Sequence, residues 1–406
     1  MAEPQETAAP APPAWPDERS VWFDARGLQR GFKEHAGRGI GTYVACLALA
    51  LDGEAAEGRV RLLVERGSEL IASVPASRLL AAPSGLPGSG RLATQLRQHA
   101  VLAAWISARE PAAVHFAAQT DAPAWVGVPS LVTVHDVFLH RLPREPGARP
   151  PFRFRVARAL ERLAIRRAAR LVVPSRVTAH ELAETLGVPA AKIAVIPYAA
   201  RAGFDPAPVE SDAAVRSRLR LPERYLLHPG GADARKRLPE LVAAFDAVAR
   251  DDAGLHLVLA GPVATGTGAP PVLSAIASAR ARDRIALPGV LDDRDMPAVY
   301  RGALAVVLAT RHEGFGFPVV EAFASGVPVV ATAAPAIAEI ASDAARLVPV
   351  DRTDALADAI RDVLRDPALA AELRARGLRR AAQHRWSVAA SETLQIYEEI
   401  TGRPLR

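Results

Sequence analysis

Asparagine is missing from this chain of 406 residues, lysine occurs three times and cysteine once. Without Asn there is no N-glycosylation acceptor. The single Cys46 excludes an intramolecular disulfide framework and a cysteine-based zinc cluster. Both absences fit a reducing cytoplasm. No run of 18 apolar residues occurs, so no transmembrane helix is expected; the apolar stretch 44–51 is far too short. Residues 1–16 hold no Lys or Arg and are rich in Ala and Pro. They lack the basic and apolar regions of a signal peptide, and 1–19 reads as a disordered tail. The lysines are Lys33, Lys192 and Lys236; the other 47 basic residues are arginine. Abundant Ala, Arg and Pro with scarce Lys and Asn suggests a GC-rich coding sequence. A pI near 9.9 then says little about nucleic acid, and no nucleic-acid partner is expected.

The length suits two domains, each of roughly 100–200 residues. Past the tail, short apolar runs alternate with amphipathic ones. Strands are expected at 20–23, 60–64, 113–116, 130–134, 171–174 and 193–196, and helices at 41–51, 91–109, 152–170 and 176–186. The apolar runs lack internal alternation, as in strands buried on both faces of a parallel sheet. Residues 201–222, rich in Pro, Ala and charge, read as a linker. The pattern restarts with strands at 225–228, 255–260, 284–287, 304–308, 328–331 and 346–349. Helices are expected between them at 238–250, 272–280, 296–301, 318–324 and 353–365. Repeated β-α-β units imply right-handed crossovers and an α/β fold. Ligands of such sheets bind at the carboxyl ends of the strands, so the units 20–200 and 223–385 should present loops to one cleft.

Two segments carry the chemistry. The first runs from Glu313 through Gly314, Phe315, Gly316, Phe317, Pro318 and Val320 to Glu321. Its glycines let the backbone approach a ligand, Pro318 suits a first helical turn, and a helix N-terminus favours an anion. The carboxylates eight positions apart would reach opposite ends of one ligand. A sugar nucleotide has that form, with hydroxyls at each end and a diphosphate between. The second segment, His228 to Arg237, joins a strand to a helix through Gly230 and Gly231. Its Arg235 and Lys236 could neutralise a diphosphate leaving group.

On these residues the chain resembles the retaining glycosyltransferases of family 4, also called glycosyl transferase group 1. Glu313 to Glu321 matches the E-x7-E signature of that family. The blocks at 289–303, 39–43, 132–136, 171–175 and 188–197 resemble further family segments. Residues 386–406 resemble a last helix that crosses back to the first domain. The resemblance implies a GT-B fold: two Rossmann-like domains with parallel sheets facing a central cleft. It implies that Glu321 bonds the nucleotide ribose, while Glu313 and the backbone at 315–317 hold the donor sugar. Lys236 with Arg235 would bind the diphosphate, and Gly41 would touch it from the first domain. His135 would lie beside the anomeric centre, with Asp136 orienting it or meeting the acceptor. The catalytic set is thus His135, Glu313 and Lys236. The reaction implied is glycosyl transfer with retention to a hydroxyl acceptor of polysaccharide or glycolipid assembly. GDP-mannose is the first donor by likeness to bacterial mannosyltransferases, and a UDP-sugar is the alternative. An epimerase or a catalytically silent binder of nucleotide sugars is the reading from other classes. Many family members have Lys-Asn or Lys-Gly where this chain has Lys236-Arg237.

Other features read more plainly. Asp292, Asp293 and Asp295 contain a D-x-D but precede a short helix, and N-capping is expected of them. No cofactor and no metal are expected, since His and carboxylates do not cluster at ligand spacing. Ser175 reads as a helix N-cap, His115 as structural, and Glu339 as a family glutamate that orients the loop. Arg155, Arg158, Arg162 and Arg166 share one face of the helix expected at 152–170. Val156, Leu160 and Leu163 are expected to turn to the core. Residues 153–170 carry seven Arg and one Glu, so this segment alone accounts for the formal charge of +6. Docking of that face to anionic lipid would place a cytoplasmic protein peripherally at the inner membrane face.

Overall fold

The computed structural model describes residues 20–405 apart from 30–31, 33–38, 57, 66–69, 71–77, 83–96, 142–151 and 267. The tail 1–19 and the start of the helix expected at 91–109 lie outside the described residues.

Two all-parallel sheets form. The first holds β1 (Val21–Asp24), β2 (Val60–Glu65), β3 (Leu79–Ala82), β4 (Ala113–Phe116), β5 (Ser130–Thr133), β6 (Arg170–Val173) and β7 (Ile193–Val195). Its order is β3-β2-β1-β4-β5-β6-β7. The second holds β8 (Tyr225–Pro229), β9 (His256–Ala260), β10 (Ile285–Gly289), β11 (Ala305–Leu308), β12 (Val329–Thr332) and β13 (Arg346–Val348), in the order β10-β9-β8-β11-β12-β13. In each the strand order reverses beside the first strand, at β1/β4 and at β8/β11. That reversal opens the crevice in which ligands of such sheets sit. The central strands are buried along their length, with helices on both faces. This is the α/β two-domain GT-B architecture.

The helix Arg176–Leu186 starts and stops as expected. The Ser175 hydroxyl accepts from the Thr178 amide, and Gly187 closes the helix at a φ of 66°. Among the described residues four α-helices were not expected, the short Phe138–Arg141 being one. Ser211–Arg218 lies inside the segment read as a linker, and Pro335–Ala341 and Pro367–Ala381 both open on a proline. Proline at a helix start costs no hydrogen bond, so a residue that reads as a breaker marks an entry instead. Strand β3 was also missed.

The basic helix Phe152–Arg167 packs differently from expectation. Ala164, Ile165 and Ala168 are buried, whereas Val156 is 39% and Leu163 36% exposed. Ile165 and its small neighbours thus face the core, while Val156 and Leu163 are left toward solvent. Two of the four aligned arginines are tied inward. Arg158 donates to the His140 carbonyl at 2.9 Å and Arg166 to the Leu186 carbonyl at 3.2 Å. Arg155 and Arg162 are exposed.

The last helix, Trp386–Thr401, packs on Gly39–Glu54 of the first half. Tyr397 hydroxyl and His115 Nδ1 are 2.6 Å apart, and His115 Nε2 meets the Thr133 hydroxyl at 2.8 Å. His115 is fully buried and its pKa is lowered to about 3 by burial, with His135 adding to it. It is a structural link between β4 and the last helix.

Candidate functional site

The site forms where loops from both sheets meet. The turn after β8 is built to leave room for an ammonium group. Gly230 has a φ of 141°, and a Cβ there would lie 2.2 Å from Lys236 Nζ. Only glycine fits both the angle and the space. No carboxylate among the described residues forms an ion pair with Lys236. Its charge therefore lies against Gly230 in the turn without a carboxylate partner among the described residues.

Arg235 behaves differently from its neighbour. Its guanidinium lies 3.2 Å from Asp233, 3.6 Å from Asp136 and 4.0 Å from Glu313. Burial lowers its pKa, but Glu313, Asp136 and Asp233 together raise it above the usual value. Of the two cations expected to share the diphosphate, Arg235 is thus held by carboxylates and Lys236 by none among the described residues. Arg237 has a φ of 50°, the left-handed region that Gly and Asn tolerate. Here the Arg237 side chain ties the backbone down through Glu240 at 2.9 Å and Asp351 at 2.8 Å.

The glycine loop leads from β11 to the helix Phe317–Ala324. Gly316 has a φ of 109°, and a Cβ there would strike Ile337 at 2.6 Å. The amides of Phe315, Gly316 and Phe317 make no turn or loop bond to the backbone of the described residues. They are donors at a helix N-terminus. Gly314 is required for another reason. Its Cβ would fall 1.9 Å from the His135 carbonyl oxygen, so the two halves touch there. The Gly314 carbonyl accepts from the Ser175 and Thr178 hydroxyls at 2.9 and 3.1 Å. Glu339 completes this contact by accepting the Arg176 and Val177 amides, both at 2.9 Å. A glutamate of the second half thereby caps a helix of the first.

The two signature glutamates differ. Glu313 is partly buried and accepts from Thr310 at 3.3 Å. Glu321 is buried. Its Oε1 accepts from Arg201 Nε at 2.6 Å and its Oε2 from the Tyr300 hydroxyl at 3.0 Å. Burial raises its pKa, while Arg201 and Tyr300 oppose that rise. Phe315 is buried, Phe317 partly so, and Val320 lies wholly in the core. The Val320 side chain therefore does not face the cleft.

From the first half come His135, Asp136 and Gly41. His135 follows β5 and is partly exposed. Its Nε2 donates to the Ala117 carbonyl at 2.8 Å, and its Nδ1 lies 2.8 Å from the Tyr198 hydroxyl. Tyr43 packs edge-on against it at 5.0 Å between centroids. Tyr198 in turn stacks on Phe317 and Trp386. Asp136 caps the Phe138 amide at 3.1 Å. Gly41 is buried in the first turn of Gly39–Glu54. A Cβ on neighbouring Gly39 would lie 3.6 Å from Phe317, so this helix start borders the glycine loop. Gly37, just before it, lies outside the described residues.

The Asp292 to Asp295 run does not cap its helix. Asp295 occupies the N-cap position without a capping bond and pairs with Arg218 at 2.7 Å. Asp292 binds Arg294, and Asp293 pairs with Arg201. Abundant arginine outcompetes the helix amides for these carboxylates. Among the described residues no group of three His, Cys, Asp or Glu could hold a metal ion. No helix of the described residues is long and apolar enough to cross a membrane. Sequence reasoning missed Tyr198, Arg201 and Tyr300. Tyr198 had a weak signal in its place just past a strand end; the other two had none.

The family description "Glycosyltransferase Family 4" matches residues 37–200, and "Glycosyl transferases group 1" matches 212–381. The O-antigen chain mannosyltransferase B of Escherichia coli is 33% identical over 27% of this chain and 29% of its own. A D-inositol 3-phosphate glycosyltransferase of Kineococcus radiotolerans is 30% identical over 58% of each. The chain thus spans less than two thirds of the length of these curated relatives. In structure it is similar to the sucrose-phosphate synthase of Thermosynechococcus elongatus. That likeness has a TM-score of 0.75 at 22% identity and covers 95% of this chain and 99% of the other. Both halves are matched and the two parallel sheets meet at the E-x7-E loop, so the chain belongs to the group 1, family 4 glycosyltransferases of GT-B fold.

Proposed function

We propose that the protein transfers a glycosyl group from a nucleotide sugar to a hydroxyl acceptor with retention of configuration. The observation that carries this is the Lys236 ammonium, which lies against Gly230 in the turn after β8 and pairs with no carboxylate among the described residues. A cation so placed stabilises a departing diphosphate more than the intact donor. The bond from the anomeric carbon to the phosphate oxygen breaks as the acceptor oxygen bonds to the same face. The acceptor proton passes to the leaving phosphate. Glu313 and the Phe315–Phe317 amides hold the sugar, Glu321 the ribose, and Gly41 the diphosphate. His135 keeps its position through Ala117 and Tyr198, and Asp136 holds the loop that bears it. Because Lys236 supplies the countercharge, the reading includes no metal or other cofactor, and activity should survive a chelator.

The first donor in this reading is GDP-mannose, for assembly of a polysaccharide or glycolipid; mannosyltransferase relatives support it. The units remain 20–200 and 223–385, with 201–222 between them and 386–406 returning. A cytoplasmic place with contact to anionic lipid completes the proposal, supported by exposed Arg155 and Arg162 beside exposed Phe152 and Val156. The test is a donor screen by mass spectrometry with GDP- and UDP-sugars and a panel of acceptors, with and without chelator. A glycosylated acceptor of retained configuration, formed from GDP-mannose, is the expected result. Epimerised or released sugar without any acceptor product would overturn it.

A further inference from the structure

We infer that Arg201 is a positioning residue for ribose recognition, holding the Glu321 carboxylate, together with Tyr300, as a preset acceptor for two adjacent hydroxyls. The inference rests on the reading of Glu321 as the ribose ligand and deepens it.

A carboxylate offers about four acceptor positions, two on each oxygen. In Glu321 one position on each oxygen is taken. Arg201 Nε sits 2.6 Å from Oε1, and the Tyr300 hydroxyl 3.0 Å from Oε2. One position on each oxygen is left over. A ribose presents two neighbouring O–H donors, which match that pair. The match holds only while the carboxylate is ionised, because a protonated carboxyl turns one acceptor into a donor.

Ionisation needs help at this place. The Glu321 side chain is 5% exposed, and burial disfavours a charge without a partner. Arg201 supplies the partner and is itself held from three sides. It pairs with Asp293, lies 4.9 Å from the Phe204 ring centroid and bonds Glu321. The ionisable groups that face Glu321 are Arg201, Tyr300, Asp293 and Cys46. Burial holds the Tyr300 hydroxyl well above its usual pKa and pushes the Cys46 thiol up to about 12. Neither ionises near neutral pH, so Arg201 is the compensating cation.

Its position in the chain adds to the argument. Arg201 follows Ala200, whose carbonyl accepts the Trp386 indole N–H at 3.0 Å. Here the chain first crosses from one sheet toward the other. The carboxylate on one half is therefore set by a residue anchored at the crossover, and Tyr300 supports it from the same half.

The test compares a nucleoside diphosphate with its 2′-deoxy form by calorimetry between about pH 6 and 8.5. The probes are GDP and 2′-deoxy-GDP, or the uridine pair if wild type binds UDP more tightly. Protonation of the phosphates and of their other partners cancels in the ratio of the two affinities. Wild type should favour the ribonucleotide about tenfold or more, with a ratio flat across this range. In Arg201→Gln the ratio should fall toward one at pH 6 and recover as pH rises and Glu321 ionises. Arg201→Lys should restore a flat ratio. Tyr300→Phe deletes one hydroxyl, keeps the ring for folding, and should lower the ratio about threefold. Wild-type ratios in both Arg201→Gln and Tyr300→Phe overturn the inference. So does tighter binding of both nucleotides by Arg201→Gln, which would make Arg201 a plug in the ribose site. If wild type itself does not separate the two nucleotides, the ribose reading of Glu321 fails and takes this inference with it.

Discussion

Glu313 and Glu321 bound the same loop yet sit in opposite circumstances. Glu321 is nearly closed off from water and held on both oxygens. Glu313 is partly open, with a long bond from Thr310 and Arg235 at 4.0 Å. In the proposed reading, one end of the site is finished before a ligand arrives, whereas the other would be completed by it. A nucleotide shared by many reactions suits the rigid end. The sugar, which changes its bonding during transfer, suits the end whose contacts can strengthen in the transition state. Lys236 belongs to the open end, and Arg201 to the closed one.

The contrast can be broken at each end. The largest effect should come from Lys236→Ala. Transfer should fall on the order of 10²–10³-fold. Melting temperature should barely move, since no protein carboxylate among the described residues loses a partner. A variant that binds GDP or UDP normally and turns over normally would remove Lys236 from the chemistry. The closed end should respond in the opposite sense. Glu321→Ala leaves Arg201 buried without its main partner and should cost roughly 3 kcal/mol of stability, read by urea denaturation. Glu313→Gln should lose activity at least tenfold and stay within about 0.5 kcal/mol of wild type. If the two substitutions shift stability equally, the two ends do not differ as described.

A third substitution separates the loop from the opposite half. Gly314→Ala would place a methyl group 1.9 Å from the His135 carbonyl oxygen. The halves should move apart, with a larger radius of gyration by X-ray scattering and about tenfold lower activity. Gly53→Ala is the control, because nothing lies within 4 Å of a Cβ there. It should leave activity unchanged and stabilise its helix slightly.

Much of the fold was legible because strands buried on both faces leave short apolar runs with nothing polar inside. Strand β3 escaped because Leu79 is only partly buried and Ala81 is exposed. Its four residues are all apolar, but the run is short and half alanine, which has little strand preference, and it forms an edge strand. The linker helix Ser211–Arg218 escaped because only Asp212 is buried in it, held by Arg301 from 89 positions away. The Gly230–Lys236 turn was readable because its residues lie close in sequence, and the glycine loop because its spacing is a local pattern, although Gly314 meets His135 and Ser175 of the other half. Arg201 with Glu321, 120 positions apart, and Glu339 with Val177, 162 apart, were not. Such pairs exist only once the two halves have met, and no local pattern encodes them. For the Asp292 to Asp295 run, sequence distance misled in the other direction. Capping was expected from position, but arginines took the carboxylates: distant Arg201 and Arg218 hold Asp293 and Asp295, and neighbouring Arg294 holds Asp292.

The smallest effect tests whether the two halves share one acid weakness. Each sheet buries a histidine beside the reversal of strand order, His115 on β4 and His228 on β8. Burial, with His135 adding to it, lowers the pKa of His115 to about 3; burial, with Lys236 adding to it, does the same for His228. An unfolded histidine titrates near 6.5. As pH falls through that value the unfolded chain takes up protons that the folded chain refuses, so stability drops. The loss continues until about pH 3, where the folded histidines also protonate. Each should contribute about 1 kcal/mol of the loss between pH 7.5 and 5.5. His228 is the cleaner probe. Its Nδ1 donates to the Val307 carbonyl at 3.0 Å and its Nε2 has no partner among the described residues, whereas His115 is bonded at both nitrogens. His228→Gln should therefore show a shallower fall in stability with acid than wild type, measured by urea midpoints at the two pH values. Equal slopes would place the acid sensitivity elsewhere and leave His228 as a packing residue only.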